Sequence, residues 1–174
     1  MFLRTFKAYS NRKYLNKLLS NRYVNVDDNK VESLGIIFNM DENEDFNLFK
    51  DLVSKLKVHP NNIKVISFSK DKKTSLNTWD LSFSPDDFGW RGEIKNAELE
   101  TFLDKKFDVL ISYYVTDELE LKLMTAKSKA QFKIGILQTD SRLNDLIINT
   151  NLKEFDVFEN EVFKYLTILN KIKK

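Results

Sequence analysis

Short apolar segments alternate with longer amphipathic ones along most of this sequence. Phe107–Tyr114 and Phe132–Leu137 are apolar and rich in β-branched and aromatic residues, and Glu118–Ala130 between them contains good helix formers without Gly or Pro. This order predicts a strand, a helix and a second strand, which geometry favours as a right-handed parallel unit. We interpret the rest of the chain as more units of the same kind.

The same patterns place the other elements. Strands are predicted over 34–38, 63–68, 79–83 and 146–148, and helices over 46–58, 96–105 and 154–171. A further helix is predicted over 2–20, where the imperfect register allows a break near Ser10–Asn11. Together they predict an α/β fold: a three-layer α/β/α sandwich with a mostly parallel, Rossmann-like (doubly wound) sheet of five or six strands, preceded by a basic N-terminal helix.

Length and composition limit the class of protein. The 174 residues are the size of one domain, and 42% hydrophobic residues with 14 Phe are enough for one aromatic core. The absence of Cys excludes disulfides, thiolate catalysis and Cys-bound zinc. There is no run of about 18 apolar residues and no export signal, so an integral membrane protein is not expected and the predicted location is cytoplasmic.

Charge is distributed unevenly along the chain. The first 26 residues carry no Asp or Glu and these six cations: Arg4, Lys7, Arg12, Lys13, Lys17 and Arg22. The remainder holds 22 basic against 26 acidic residues, a net charge of −4. We therefore divide the chain into a basic N-terminal helical arm, 1–26, and a single α/β domain, 27–174.

The basic arm predicts an anionic partner. Its cations produce a positive potential that attracts polyanions, and Phe2, Phe6, Tyr9 and Tyr14 are interleaved with them. Such aromatics stack on unpaired bases, or they pack the helix onto the sheet and leave the cations outward. An anionic membrane surface ranks below RNA because the apolar face is short. The leading hypothesis is a non-enzymatic protein that docks on RNA or the ribosome; a protein partner stays open, and we expect no cofactor.

Residues 86–92 form the most unusual local stretch, with an aromatic and an arginine between two glycines. Trp90 and Arg91 are residue types enriched at recognition sites, and in one interpretation an RNA base or an acidic peptide stacks there. In the competing interpretation Phe88 and Trp90 fill the edge of the core, and Arg91 pairs with one of the two aspartates that precede Phe88.

Most catalytic signatures are missing. The four Gly form neither the G-x-G-x-x-G motif of dinucleotide-binding folds nor the G-x-x-x-x-G-K-S/T motif of phosphate-binding loops. The only histidine, His59, follows a predicted helix, where a solvated side chain is expected. Carboxylates are the remaining candidates, because ligands of open α/β sheets bind at the carboxyl ends of the strands. Those ends present Asp41, Glu42, Ser69, Asp117 and Asp140. The alternative hypothesis is therefore an enzyme or a small-molecule or Mg²⁺-binding protein that uses this crevice.

A receiver-type phosphoacceptor site has the same arrangement of carboxylates. Such a site also needs a lysine at the end of the last inner strand, and Gln138 stands at that position here.

A second group of cations lies on or just after the predicted helix 118–130: Lys122, Lys127, Lys129 and Lys133. Glu118 and Glu120 offset these charges, so the group is interpreted as a solvated face without a function.

Several motifs resemble those of a known family. They are Gly89–Asn96, Leu99, Phe102–Leu103, Phe107–Ile111 and Ala130–Gly135. In these motifs, in its length and in its basic opening, the chain resembles a family of small bacterial proteins known only as a domain of unknown function. The resemblance covers nearly the whole chain. It implies a small cytoplasmic α/β protein and supplies no activity and no site residues.

Overall fold

Six parallel strands form one sheet in the computed structural model, which describes residues 2–24, 27–71, 81–138 and 140–173. The strands are β1 (Leu34–Asn39), β2 (Ile63–Phe68), β3 (Leu81–Phe83), β4 (Val109–Tyr113), β5 (Phe132–Ile136) and β6 (Leu146–Ile148). Their order in the sheet is β3-β2-β1-β4-β5-β6, and every neighbouring pair is parallel. All predicted strands are present; residues 79–80 of the third lie outside the described residues.

The described residues form five α-helices, at the places where the sequence predicts them. They are α1 (Phe2–Ser20), α2 (Lys50–Leu56), α3 (Ala97–Asp104), α4 (Leu119–Lys127) and α5 (Phe155–Ile168). The predicted helix 46–58 begins as a 3-10 turn, Phe46–Phe49, and ends early because Lys57 is left-handed with φ +54°. The break considered near Ser10–Asn11 is absent, since α1 is continuous.

Helices cover both faces of the sheet and produce the expected three layers. β1 shows why, because its side chains alternate between the faces. Leu34, Ile36 and Phe38 pack in one core with α2 and α5. Ile37 points the other way, into a second core with α1, α3 and α4. Continuous burial of β1 is what a parallel strand covered on both sides requires.

The N-terminal helix packs onto this body through its second half. Leu15 and Leu19 belong to the second core, and α1 lies against α4. Arg22, just past the helix, forms an ion pair of 2.5 Å with Asp145, which directly precedes β6. The C-terminal end of α1 therefore lies at the amino edge of the sheet. The division of the chain at residue 26 stays a prediction.

Among the described helices, none combines the length and the apolar character that crossing a membrane requires.

Candidate functional site

Three aromatic side chains project into solvent from the first half of α1. Phe2 is 81% exposed, Phe6 60% and Tyr9 68%. Spacings of four and three residues place them on one helical face. The exposed face continues with cations, and we define the α1 surface as Phe2, Phe6, Tyr9, Arg12, Lys13 and Lys17. Packing onto the body, the competing expectation for the aromatics, holds only for Tyr14, which contacts the second core.

The six cations of the first 26 residues divide into two groups. Arg22 pairs with Asp145, and half-buried Lys7 donates from Nζ to the Phe88 carbonyl over 3.2 Å. The other four are exposed: Arg4, Arg12, Lys13 and Lys17. None of those four forms an ion pair with any other described residue. The fold thus uses two of the cations and leaves the others available to a partner.

Residues 87–95 form a small β-hairpin that sequence reasoning missed. Lys95 N donates to Asp87 O over 2.8 Å, and Phe88 pairs with Ile94 in an antiparallel bridge. Glu93 N then closes the turn onto the Trp90 carbonyl over 3.0 Å. The two central residues have positive φ, +54° at Arg91 and +71° at Gly92, as in a type I′ turn. We call residues 90–93 the hairpin turn.

Asn11 fastens the hairpin turn to α1. Its side chain is 2% exposed; Nδ2 donates to the Gly89 carbonyl over 3.1 Å, and Oδ1 accepts from Gly92 N over 2.9 Å. Gly92 is needed here, because a Cβ would meet the Tyr14 ring and φ is positive. Lys127 adds a hydrogen bond of 2.6 Å from Nζ to the Gly92 carbonyl. The two regions predicted separately as RNA contacts are therefore adjacent.

Trp90 and Arg91 lie at the solvent side of this junction. Trp90 is 47% exposed and lines a shallow hollow of about 230 Å³ with Leu3, Arg4 and Lys7. The competing interpretation is right for Phe88, which is fully buried, and wrong for Trp90. Arg91 is exposed and forms no ion pair with a carboxylate of the described residues, Asp86 and Asp87 included.

The carboxylates after β1 are bound by the chain itself. Asp41 accepts from Ser69 Oγ over 2.8 Å and from Lys70 N over 3.0 Å. Glu42 reaches across the point where the strand order reverses and accepts from Val115 N over 3.2 Å and Thr116 N over 2.8 Å. The Thr116 hydroxyl also donates to Glu42. Glu42 thus occupies backbone donors that would otherwise face a ligand in this crevice.

The other candidate carboxylates have partners too. Asp117 pairs with Lys122, and α4 begins without a side-chain cap. Asp140 accepts from Arg142 Nη2 over 2.7 Å, and this hydrogen bond lowers the pKa of the Asp140 carboxyl. Within the described ranges, no three acidic or histidine side chains are grouped so that they could hold a metal ion. The described residues therefore give the Mg²⁺ hypothesis no support.

Comparison with known proteins identifies a family. The family of unknown function DUF6913 matches residues 7–169. The chain belongs to this family. The match runs from within α1 to the end of α5 and includes the hairpin turn. The resemblance predicted from the sequence is confirmed, and the family supplies no activity. No curated protein and no solved structure matches the chain.

The prediction of a solvated face is wrong for three of its four cations: Lys133 is buried, and Lys122 and Lys127 are half-buried. Lys133 lies in β5 and is 3% exposed, with Nζ donating to Thr125 O over 2.7 Å at the end of α4. Burial lowers the pKa of Lys133 to about 7, and Arg22 adds to the lowering. The sequence signal for its burial is a lysine placed within the predicted apolar strand Phe132–Leu137. Lys129, by contrast, is exposed as expected.

Proposed function

We propose that the protein is a non-enzymatic interaction protein that docks its α1 surface on RNA, including ribosomal RNA. The observation that carries the proposal is the shared exposed face of α1, where cations that pair with no described residue continue a row of solvent-exposed aromatic rings. Cations neutralise phosphates, and exposed rings stack on unpaired bases. At about 1.5 Å per residue, the helix extends far enough to contact several nucleotides.

The arrangement favours RNA over an anionic membrane surface. Helices that lie in a membrane interface separate an apolar face from a charged one. In α1 the exposed aromatics Phe6 and Tyr9 share their face with Lys13, and the opposite face is occupied by Leu15 and Leu19 in the core. Tyr9 cannot enter the lipid without bringing Lys13, which lies one turn further along the same face. Rings followed by cations on one exposed face suit a polyanion with apolar bases.

Co-sedimentation with ribosomes and with ribosome-free RNA tests the proposal. The test variant replaces three cations of the α1 surface, Arg12→Gln, Lys13→Gln and Lys17→Gln. Gln is a good helix former, so α1 should stay folded. The matched control removes equal charge from exposed lysines elsewhere: Lys50→Gln, Lys106→Gln and Lys153→Gln. Deleting α1 is unsuitable, because Leu15 and Leu19 would leave the core.

We expect the wild type and the control to sediment with RNA at about 50 mM salt and to be released at about 200 mM. The triple variant of α1 should remain in the supernatant at both concentrations. Equal retention of the α1 variant and the control would contradict the proposal. So would binding to vesicles of phosphatidylglycerol and phosphatidylcholine without binding to RNA.

A further inference from the structure

The indole of Trp90 is an apolar surface placed among cations. It is about half exposed, and the hollow it lines is completed by the side chains of Leu3, Arg4 and Lys7. A nucleotide base can stack on such a ring while its phosphate lies near the cations. The hollow lies beside the N-terminal part of α1, so it extends the α1 surface.

The backbone at Arg91 is strained. Its φ of +54° is a conformation that residues other than Gly, Asn and Asp adopt rarely. Type I′ turns favour Asn or Gly at this position for that reason. The turn needs this conformation, since it closes with the bond from Glu93 N to Trp90 O, but it does not need an arginine. The Arg91 side chain is exposed and pairs with no carboxylate of the described part of the chain, so an arginine held at this strained position indicates a role at the surface.

The hairpin turn is held in place before any ligand arrives. Asn11 binds it through both ends of its amide, and Lys127 and Lys7 donate to the carbonyls of Gly92 and Phe88. These contacts come from two different helices. A rigid platform loses little conformational freedom on binding, which favours affinity.

We infer that Trp90 is a stacking platform for one unpaired RNA base and that Arg91 binds an adjoining phosphate. The inference rests on the RNA binding proposed above and adds a selectivity to it. Bases in a duplex are already stacked on their neighbours, so a duplex meets only the cations of this surface. The protein therefore binds single-stranded RNA more tightly than duplex RNA.

Fluorescence anisotropy with labelled RNA of about 12 nucleotides, single-stranded or annealed to its complement, tests the selectivity. Trp90→Ala should weaken binding of the single strand roughly tenfold and leave duplex binding unchanged. Trp90→Phe, which keeps a ring, should lose less. Arg91→Asn should weaken binding of both forms while raising the melting temperature, because Asn suits the turn. Tyr165→Ala removes an exposed ring from α5, on the opposite face, and should change neither affinity.

Equal wild-type affinity for the two RNA forms would overturn the inference and leave RNA binding through α1 standing. The same holds if Trp90→Ala weakens both forms by one factor, or if Tyr165→Ala has the same effect as Trp90→Ala. Binding of neither RNA form by the folded wild type would overturn the inference together with the proposed function.

Discussion

The α1 surface and the carboxyl edge of the sheet use charge in opposite ways. At the carboxyl edge, Asp41 and Glu42 accept hydrogen bonds from the loops that follow β2 and β4. On α1, Arg12, Lys13 and Lys17 extend into solvent and pair with no described residue. Both regions are rich in charge, and only one keeps it free for another molecule.

The contrast teaches that a position favoured by fold type is a weak guide to function. Ligands of doubly wound sheets bind where the strand order reverses, and in this protein Glu42 already takes the donors there. Fold alone does not imply function. What distinguishes α1 is that Arg12, Lys13 and Lys17 on its exposed face pair with no described residue, while Leu15 and Leu19 on its other face pack in the core.

The largest predicted effect is on the pH dependence of stability, and it comes from Lys133. In contrast to the exposed cations of α1, this lysine is buried by the fold. Its pKa is about 7, whereas the unfolded side chain stays protonated up to about pH 10. Between these values the unfolded chain binds more protons, so the free energy of unfolding should rise with pH, by roughly 4 kcal/mol at most. In Lys133→Met this contribution should be missing.

Urea denaturation of the wild type and of Lys133→Met between pH 7 and pH 10 measures this contribution to the free energy of unfolding. The difference in unfolding free energy, wild type minus Lys133→Met, should grow as pH rises. A constant difference would mean that the native ammonium is as well solvated as an exposed one.

Glu42→Ala breaks the carboxyl edge and should have the next largest effect. The change removes a carboxylate that joins the loop after β1 to the loop after β4 and leaves two backbone donors without it. We expect a loss of about 3 kcal/mol in the free energy of unfolding. Glu44→Ala, at an exposed neighbour, should change stability by less than about 0.5 kcal/mol. If the two variants are equally stable, Glu42 does not close the crevice.

Asn11→Ala breaks the junction between α1 and the hairpin turn, with a smaller effect. The Gly89 carbonyl and the Gly92 N–H lose their buried partner, at a cost of about 2 kcal/mol. Hydrogen exchange at the Gly92 amide should also become faster than in the wild type. Ser20→Ala, on the exposed end of α1, is the control. Unchanged protection of Gly92 would show that the turn is held by other contacts.

The elements of the fold could be predicted because their signals are local. Leu34–Phe38 shows burial on both faces in its own composition, and Asn96 shows its role as a helix cap by its position before Ala97. The hairpin turn could not be predicted in the same way. Its turn carries Arg91 before Gly92 in place of the usual Asn–Gly, and its anchor, Asn11, lies 78 residues before Gly89 in the chain.

The candidate site was predicted as two separate segments for the same reason. Six cations without an acid, and Trp90 beside Arg91, are visible in the sequence. Some of these cations form contacts within the fold, and the partners that decide which ones are distant in sequence. Asp145, which pairs with Arg22, is an example. Long-range pairing of this kind leaves no pattern in neighbouring residues.

The central claim is that the free cations of the α1 surface bind RNA phosphates. The most direct measurement is the affinity for a single-stranded RNA as a function of salt, for the wild type and for the variant with Arg12, Lys13 and Lys17 replaced by Gln. Each lost phosphate contact lowers the magnitude of the slope of log K against log salt by about 0.7. The slope of the variant should therefore be smaller in magnitude by roughly 2. Identical slopes would contradict the claim.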